Sequence, residues 1–119
     1  MKVQLGVLNE SGDETRVAIV PNSVPKLAKV GFTVLVESEA GHSSFHSDAD
    51  YAEKGATIVP RDDALKADLL VCIGTPDFSS LSEGQIVACV ADPFRHPDHV
   101  RDAMAAKVTL LSMDMIPRR

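Results

Sequence analysis

Arg16 is the residue whose type and place in the chain most invite chemistry. It stands in Glu14-Thr15-Arg16-Val17-Ala18-Ile19-Val20-Pro21, just after the polar loop that leaves the first apolar segment. In open α/β sheets ligands gather at the carboxyl ends of strands, and a guanidinium fork there can clamp a carboxylate through two parallel hydrogen bonds. The competing reading is an ion pair with Glu10, Asp13 or Glu14 that pins the loop, a kind of surface contact worth little. Thr75, Asp92 and Pro93 fall at the carboxyl ends of later strands and are the other candidate cleft residues. Thr75-Pro76 and Asp92-Pro93 also read as plain turn chemistry. No residue is predicted to be catalytic.

Other chemistries lack a setting. Ser43, Ser44, Ser79, Ser80 and Ser82 lie in loops without a Gly-x-Ser-x-Gly elbow. Cys72 and Cys89 lie inside apolar runs, where burial raises a thiol's pKa and makes it inert, so both are expected to be reduced and structural. His42 and His46 are four apart, but in a Gly/Ser-rich loop where helical spacing has no meaning. His96 and His99 begin a solvent-facing helix. Neither pair has a third ligand, so all four read as surface histidines and no metal site is expected. Neither Gly-x-Gly-x-x-Gly nor Gly-x-x-x-x-Gly-Lys-Ser/Thr occurs among the seven glycines. Without such a turn a sheet lacks the close backbone approach that holds a pyrophosphate, so no self-contained dinucleotide site is expected.

Composition narrows the classes further. The chain has 119 residues, 45% apolar and 24% charged, enough for one domain with a real core. Its longest apolar run, 86–91, is far short of the ~20 residues a membrane span needs. The start, Met1-Lys2-Val3-Gln4-Leu5-Gly6, has no signal-peptide block. Two cysteines are too few for a disulfide scaffold, which suits a cytosolic protein. The net charge of −5, with no basic cluster beyond Arg118-Arg119, argues against a nucleic-acid partner.

The elements that must position these residues alternate along the chain. Residues 2–8 read as a strand with Val3, Leu5 and Val7 on one face. Asn22-Ser23-Val24-Pro25 opens a helix with Val24, Leu27 and Val30 at helical spacing, ended by Gly31. A strand over 32–36, a short helix over 48–54 stopped by Gly55, a weak strand over 57–59 and a short helix over 61–66 follow. Continuous apolar strands over 69–73 and 86–91 suit a sheet covered on both faces. An amphipathic helix over 97–106, with Val100 and Met104 inward, leads to a last strand over 108–111. The pattern predicts an α/β fold with a doubly wound, mostly parallel sheet in three layers, Rossmann- or flavodoxin-like, without a glycine-rich nucleotide motif. No helix covers the sheet after the last strand. Residues 1–119 therefore read as one domain, the N-terminal lobe of a longer two-lobe component, with an exposed apolar face that favours self-association.

The same stretch around Arg16 carries a family resemblance. Gly6-Val7, Glu10, Glu14-Thr15-Arg16-Val17-Ala18, Pro21, Ser23-Val24, Leu27, Lys29 and the run 31–38 match in order. Ala40-Gly41, Phe45, Asp48, Tyr51 and Gly55-Ala56-Thr57-Ile58 follow, then Val108-Thr109, Met113-Asp114 and Pro117-Arg118. The sequence resembles the N-terminal domain shared by alanine dehydrogenase and the alpha subunit of proton-translocating NAD(P) transhydrogenase, and is closer to the transhydrogenase branch.

That resemblance implies several things. Alanine dehydrogenases hold pyruvate with the Arg matching Arg16, a Lys on a later strand and a catalytic His on the next. The Lys position falls on Cys72 and the His position at or beside Ala91. Neither residue supplies the cation or proton donor that imine reduction requires. The transhydrogenase reading implies an oxidoreductase that passes hydride between NADH and NADP, coupled to proton translocation. NAD(H) would bind the full-length protein and not this chain alone. The implied partners are the rest of the alpha subunit, an NADP-binding beta subunit and a second copy in a homodimer, in the cytoplasm and peripheral to the membrane. Departures cluster around the expected cleft: Leu8 replaces the family's Pro, Val20 its Ser/Thr, and Cys72 a Lys common in both branches. The alternatives are a lobe of an alanine or other amino-acid dehydrogenase, and a non-catalytic interaction module.

Overall fold

The computed structural model describes residues 3–10, 17–74, 76, 78–89 and 97–112. Within them six strands form one parallel sheet: β1 (Val3–Val7), β2 (Phe32–Glu37), β3 (Thr57–Val59), β4 (Leu69–Val71), β5 (Ile86–Cys89) and β6 (Thr109–Ser112). The order is β3-β2-β1-β4-β5-β6. The chain winds outward from β1 to β3, returns to set β4 beside β1, and winds outward again. This is the doubly wound α/β arrangement the alternating pattern predicts, and its order reverses between β1 and β4.

Alternation along each strand divides the core into two layers. Leu5 and Val7 of β1, Val34 and Val36 of β2, and Leu69 and Val71 of β4 face one cluster with Val24 and Tyr51. Leu8, Leu70, Cys72, Val87 and Cys89 face the other, with Ala64, Ala67, Phe78 and Ala103. Helices α1 (Val24–Lys29) and α2 (Asp48–Glu53) serve the first face, α3 (Arg61–Ala64) and α4 (Pro97–Ala106) the second. Cover on both faces is why β4 reads as an unbroken apolar run, whereas β5 buries Val87 and Cys89 on one face and leaves Ile86 exposed on the other.

Local chemistry sets the element ends. Pro25 occupies the first turn of α1 and Gly31 follows it at φ +108°, as the start and stop signals predict. Ser47 caps α2 reciprocally: its Oγ accepts from the Asp50 N–H at 3.2 Å, and the Asp50 carboxylate accepts from the Ser47 N–H at 3.0 Å. Gly6 is required for another reason. A Cβ there would lie 2.6 Å from the Ala64 carbonyl oxygen, so α3 rests directly on the backbone of β1.

Two apolar positions depart from the sequence pattern. Met104 is 71% exposed, whereas Ala103 is buried and Ala106 packs on the same cluster. Small residues at i and i+3 let α4 lie close to the sheet, and Met104, about 100° further round the helix, is turned out to solvent. Val30 is exposed because α1 stops at Lys29 and Val30 lies beyond its core-facing stripe. On the face opposite α4, Ile86 and Leu111 are exposed.

Candidate functional site

The reversal of strand order opens a crevice at the carboxyl ends of β1 and β4, the place where open α/β sheets take ligands. Leu8, Asn9 and Glu10 leave β1 on one side; Cys72, Ile73 and Gly74 leave β4 on the other. Glu10 spans the gap. Its carboxylate accepts from the Ile73 N–H at 2.9 Å through Oε2 and from the Gly74 N–H at 2.8 Å through Oε1. Two successive amides that hold a carboxylate form an anion cradle, and here the chain fills it with its own side chain.

A second carboxylate braces the β1 side. Glu37, at the buried end of β2, accepts from Arg61 Nη1 at 2.7 Å and from the Asn9 N–H at 3.1 Å. The same Arg61 nitrogen reaches the Asn9 carbonyl at 3.4 Å. Arg61 opens the single-turn helix α3, and its ion pair with Glu37 ties α3, β2 and the β1 loop together.

Cys72 forms the floor. It borders a cavity of about 20 Å³ with Leu8, Asn9, Glu10, Arg61, Gly74 and Pro76, room for about one water molecule. Burial pushes its thiol pKa well up, and the Glu10 carboxylate and Cys89 push it further. At neutral pH Cys72 is a neutral thiol with no charge to offer an anion.

Of the residues singled out from sequence, Arg16, Thr75, Asp92 and Pro93 lie outside the described residues, as do Ala91 and His96. Leu8 and Cys72 come together in the crevice, whereas Val20 lines a separate groove with Pro21, Asn22, His46, Asp50, Glu53 and Lys54. His42 begins a short 3-10 turn, and His46 meets the Tyr51 ring edge-on with centroids 6.4 Å apart. Among the described residues no group of three or more His, Cys, Asp or Glu side chains is placed to hold a metal ion. Nor is any helix among the described residues long and apolar enough to cross a membrane.

Sequence reasoning missed the Glu37–Arg61 brace and the Glu10 cradle. Signals for the first were present. Glu37 ends an otherwise apolar buried strand, and a buried carboxylate demands a partner. Arg61 follows Pro60 at the start of the short helix predicted over 61–66, the one cation of its first three residues.

The likeness read from the residues has independent support. A profile for the family described as alanine dehydrogenase/PNT, N-terminal domain, matches residues 6–119. The chain belongs to this family. Among its relatives, the NAD(P) transhydrogenase subunit alpha of Haemophilus influenzae is 28% identical over 109 residues, covering 89% of this chain and 21% of that protein. The corresponding subunit of Cereibacter sphaeroides is 31% identical over 110 residues, 88% of this chain and 21% of that protein. Alanine dehydrogenase 2 of Staphylococcus aureus is 33% identical over 90 residues, 71% of this chain and 24% of that protein. This chain therefore spans about a fifth to a quarter of the curated relatives it matches. The crystal structure of a transhydrogenase from Sinorhizobium meliloti superposes with a TM-score of 0.92 at 31% identity, covering 98% of this chain and 36% of that one. An L-alanine dehydrogenase structure superposes with a TM-score of 0.86 at 26% identity, covering 92% and 32%. These family members are oxidoreductases, and both branches share the doubly wound sheet described above.

Proposed function

We propose that this chain is the first lobe of the NAD(H)-binding alpha subunit of a proton-translocating NAD(P) transhydrogenase, where it forms one wall of the nicotinamide cleft and supports a separate nucleotide lobe. The observation that supports this reading is the superposition on a transhydrogenase over 98% of this chain, at a TM-score of 0.92 and 31% identity; Cys72 argues separately against the amino-acid dehydrogenase alternative. Where the alanine dehydrogenase pattern has a Lys to meet the carboxylate of an oxo acid, this chain has a buried, neutral thiol beside the Glu10 carboxylate. An oxo-acid anion brought there would meet the Glu10 carboxylate, and the described cation that lines the crevice, Arg61, is already paired with Glu37. Hydride passage between two nicotinamides needs no protein acid or base, only two rings held close and oriented. Transhydrogenation tolerates Cys72; reduction of an imine of pyruvate does not.

Among the described residues the crevice does not fit a pyrophosphate. Its amide cradle already holds Glu10, its cavity is about 20 Å³, and no glycine-rich loop opens a helix there. In this reading NAD(H) is gripped by the other lobe. The partners are that remainder of the alpha subunit, an NADP-binding beta subunit and a second copy of this one. The assembly sits on the cytoplasmic side, joined to the membrane through its partner subunits. Arg16, Thr75, Asp92 and Pro93 are the proposed cleft-lining residues.

Calorimetric titration of the chain with NADH and, separately, with pyruvate tests the division of labour. No detectable heat at near-millimolar concentrations of either is the expected result. Saturable pyruvate binding abolished by Arg16→Ala would instead favour an amino-acid dehydrogenase lobe. Micromolar NADH binding would place a nucleotide site within these residues and overturn the argument from the missing glycine motif.

A further inference from the structure

The chain's two cysteines are neighbours. β4 and β5 pair in parallel with Leu69 opposite Ile86, Leu70 opposite Val87 and Val71 opposite Ala88. The Cys72 N–H donates to the Ala88 carbonyl at 2.9 Å, which carries the ladder past the end of β4. The next position in this register sets Cys72 beside Cys89. Opposed residues of adjacent parallel strands lie about 4.8 Å apart and project to the same side. Both cysteines belong to the same core layer, with Leu70 and Val87 two residues earlier on each strand. A strand separation of about 4.8 Å falls within the Cα spacing of roughly 4.4–6.8 Å that disulfides adopt, and the Cβ atoms must close by several tenths of an ångström to reach the roughly 3.5–4.5 Å a disulfide needs.

We infer that Cys72 and Cys89 form an intramolecular dithiol site that a small hydroperoxide closes to a disulfide across the carboxyl ends of β4 and β5. The two thiols have different access. Cys89 is completely buried, whereas Cys72 borders the small crevice cavity lined by Glu10, Arg61 and Gly74. Cys72 is therefore the attacking thiol. Its sulfur takes the distal peroxide oxygen, the O–O bond breaks, and Cys72 sulfenic acid and one water (or alcohol) result. The Cys89 sulfur then displaces the hydroxyl from that sulfenic acid, which leaves as water with the Cys89 proton. Overall two S–H groups are oxidised to one S–S bond and the hydroperoxide is reduced, with no other reactant. Burial and the Glu10 carboxylate hold Cys72 protonated, so the reaction is slower than that of a free low-pKa thiol. The pairing, and not thiol reactivity, determines the product. The site shares Cys72 with the crevice described above, but its readout, the state of the two sulfurs, does not depend on hydride transfer.

The test exposes the folded chain to hydrogen peroxide, removes the excess, denatures, alkylates and maps the cysteines by mass spectrometry. The expected product is a monomer lighter by two hydrogen atoms, with neither cysteine alkylated and the Cys72 and Cys89 peptides joined. In Cys89→Ala the resolving thiol is gone, and Cys72 sulfenic acid should be captured by dimedone instead. Three outcomes overturn the inference. One is full alkylation of both cysteines after exposure that completely oxidises glutathione. Another is oxygen accumulating on Cys72 while Cys89 stays alkylatable in the unsubstituted chain. The third is disulfide confined to cross-linked dimers.

Discussion

Glu10 and Gly74, 64 residues apart in sequence, are joined by a 2.8 Å hydrogen bond from the Gly74 N–H to the Glu10 carboxylate, beside a 2.9 Å bond from Ile73. The pair closes the sheet's switch point with the chain's own anion. Glu10→Ala removes both bonds and leaves two amides to find water. Charge-assisted hydrogen bonds contribute roughly 1.5–3 kcal/mol, and the partial exposure of this pair sets the expected loss near the lower end. Urea unfolding should show it as a lowered midpoint, with Glu10→Gln losing less. An unchanged midpoint in Glu10→Ala would mean the strap contributes nothing to the fold.

Tyr51 predicts an alkaline transition. Its ring is fully buried in the core, its hydroxyl donates to the Ile19 carbonyl at 2.7 Å, and burial followed by the Asp48 charge pushes its pKa up to about 12 from 10.0. A proton held more tightly in the folded chain than in the unfolded one gives stability that is complete below pH 10.0 and is lost as pH rises toward 12. The loss is on the order of 2 kcal/mol across that window. Unfolding free energies of the natural chain and Tyr51→Phe, measured from pH 8 to pH 12, should differ by a constant below pH 10 and converge above it. Cys72, also raised by burial, adds a parallel alkaline loss that Tyr51→Phe retains.

Phe45 is a position where substitution should stabilise. It is 96% exposed and adopts φ +65°, a left-handed conformation disfavoured for a bulky side chain. Its N–H bonds the His42 carbonyl at 3.1 Å and the following His46 N–H bonds the Gly41 carbonyl at 2.9 Å, the Schellman pattern that usually ends in glycine. Relief of the left-handed strain, roughly 1–2 kcal/mol, outweighs the backbone entropy glycine adds, roughly 0.5–1 kcal/mol. Phe45→Gly is expected to raise the urea midpoint; a lower midpoint would show that the ring makes stabilising contacts.

Gly6→Ala should do the reverse. Besides the Ala64 carbonyl at 2.6 Å, the new methyl would meet Leu70 Cδ2 at 2.9 Å and Ala67 Cβ at 3.0 Å. Overpacking of this kind costs roughly 1–3 kcal/mol, and here backbone is the obstacle and cannot rotate aside. A circular-dichroism melt that matches the natural chain would contradict the close approach of α3 to β1.

Much of this architecture is legible in the residues because the strands of a parallel sheet announce themselves as short apolar runs. The apolar runs 69–71 and 86–89, and the glycines that end α1 and α2, carry local signals that tertiary packing leaves intact. Met104 is where periodicity misleads, because a methionine one position from Ala103 mimics an inward stripe that close helix–sheet packing assigns to alanine. The site was less legible. Glu10 is a plain loop acid in sequence, and the amides it binds belong to residues more than 60 positions away, brought near only by the return crossing from β3 to β4. The adjacency of Cys72 and Cys89 is a matter of register, which depends on the whole sheet and on no local pattern. Each cysteine read singly gives burial and nothing more.

The central claim is that this lobe serves transhydrogenation. The most direct measurement replaces the corresponding lobe of the Haemophilus influenzae transhydrogenase subunit alpha with residues 1–119, assembles the chimera with its partner components, and confirms NADH binding by fluorescence. Hydride transfer from NADH to an NADP analogue is then compared with NADH oxidation driven by pyruvate and ammonium. The account predicts transfer to the analogue and no oxidation with pyruvate. A chimera that binds NADH, fails to reduce the analogue and consumes NADH with pyruvate and ammonium would contradict it.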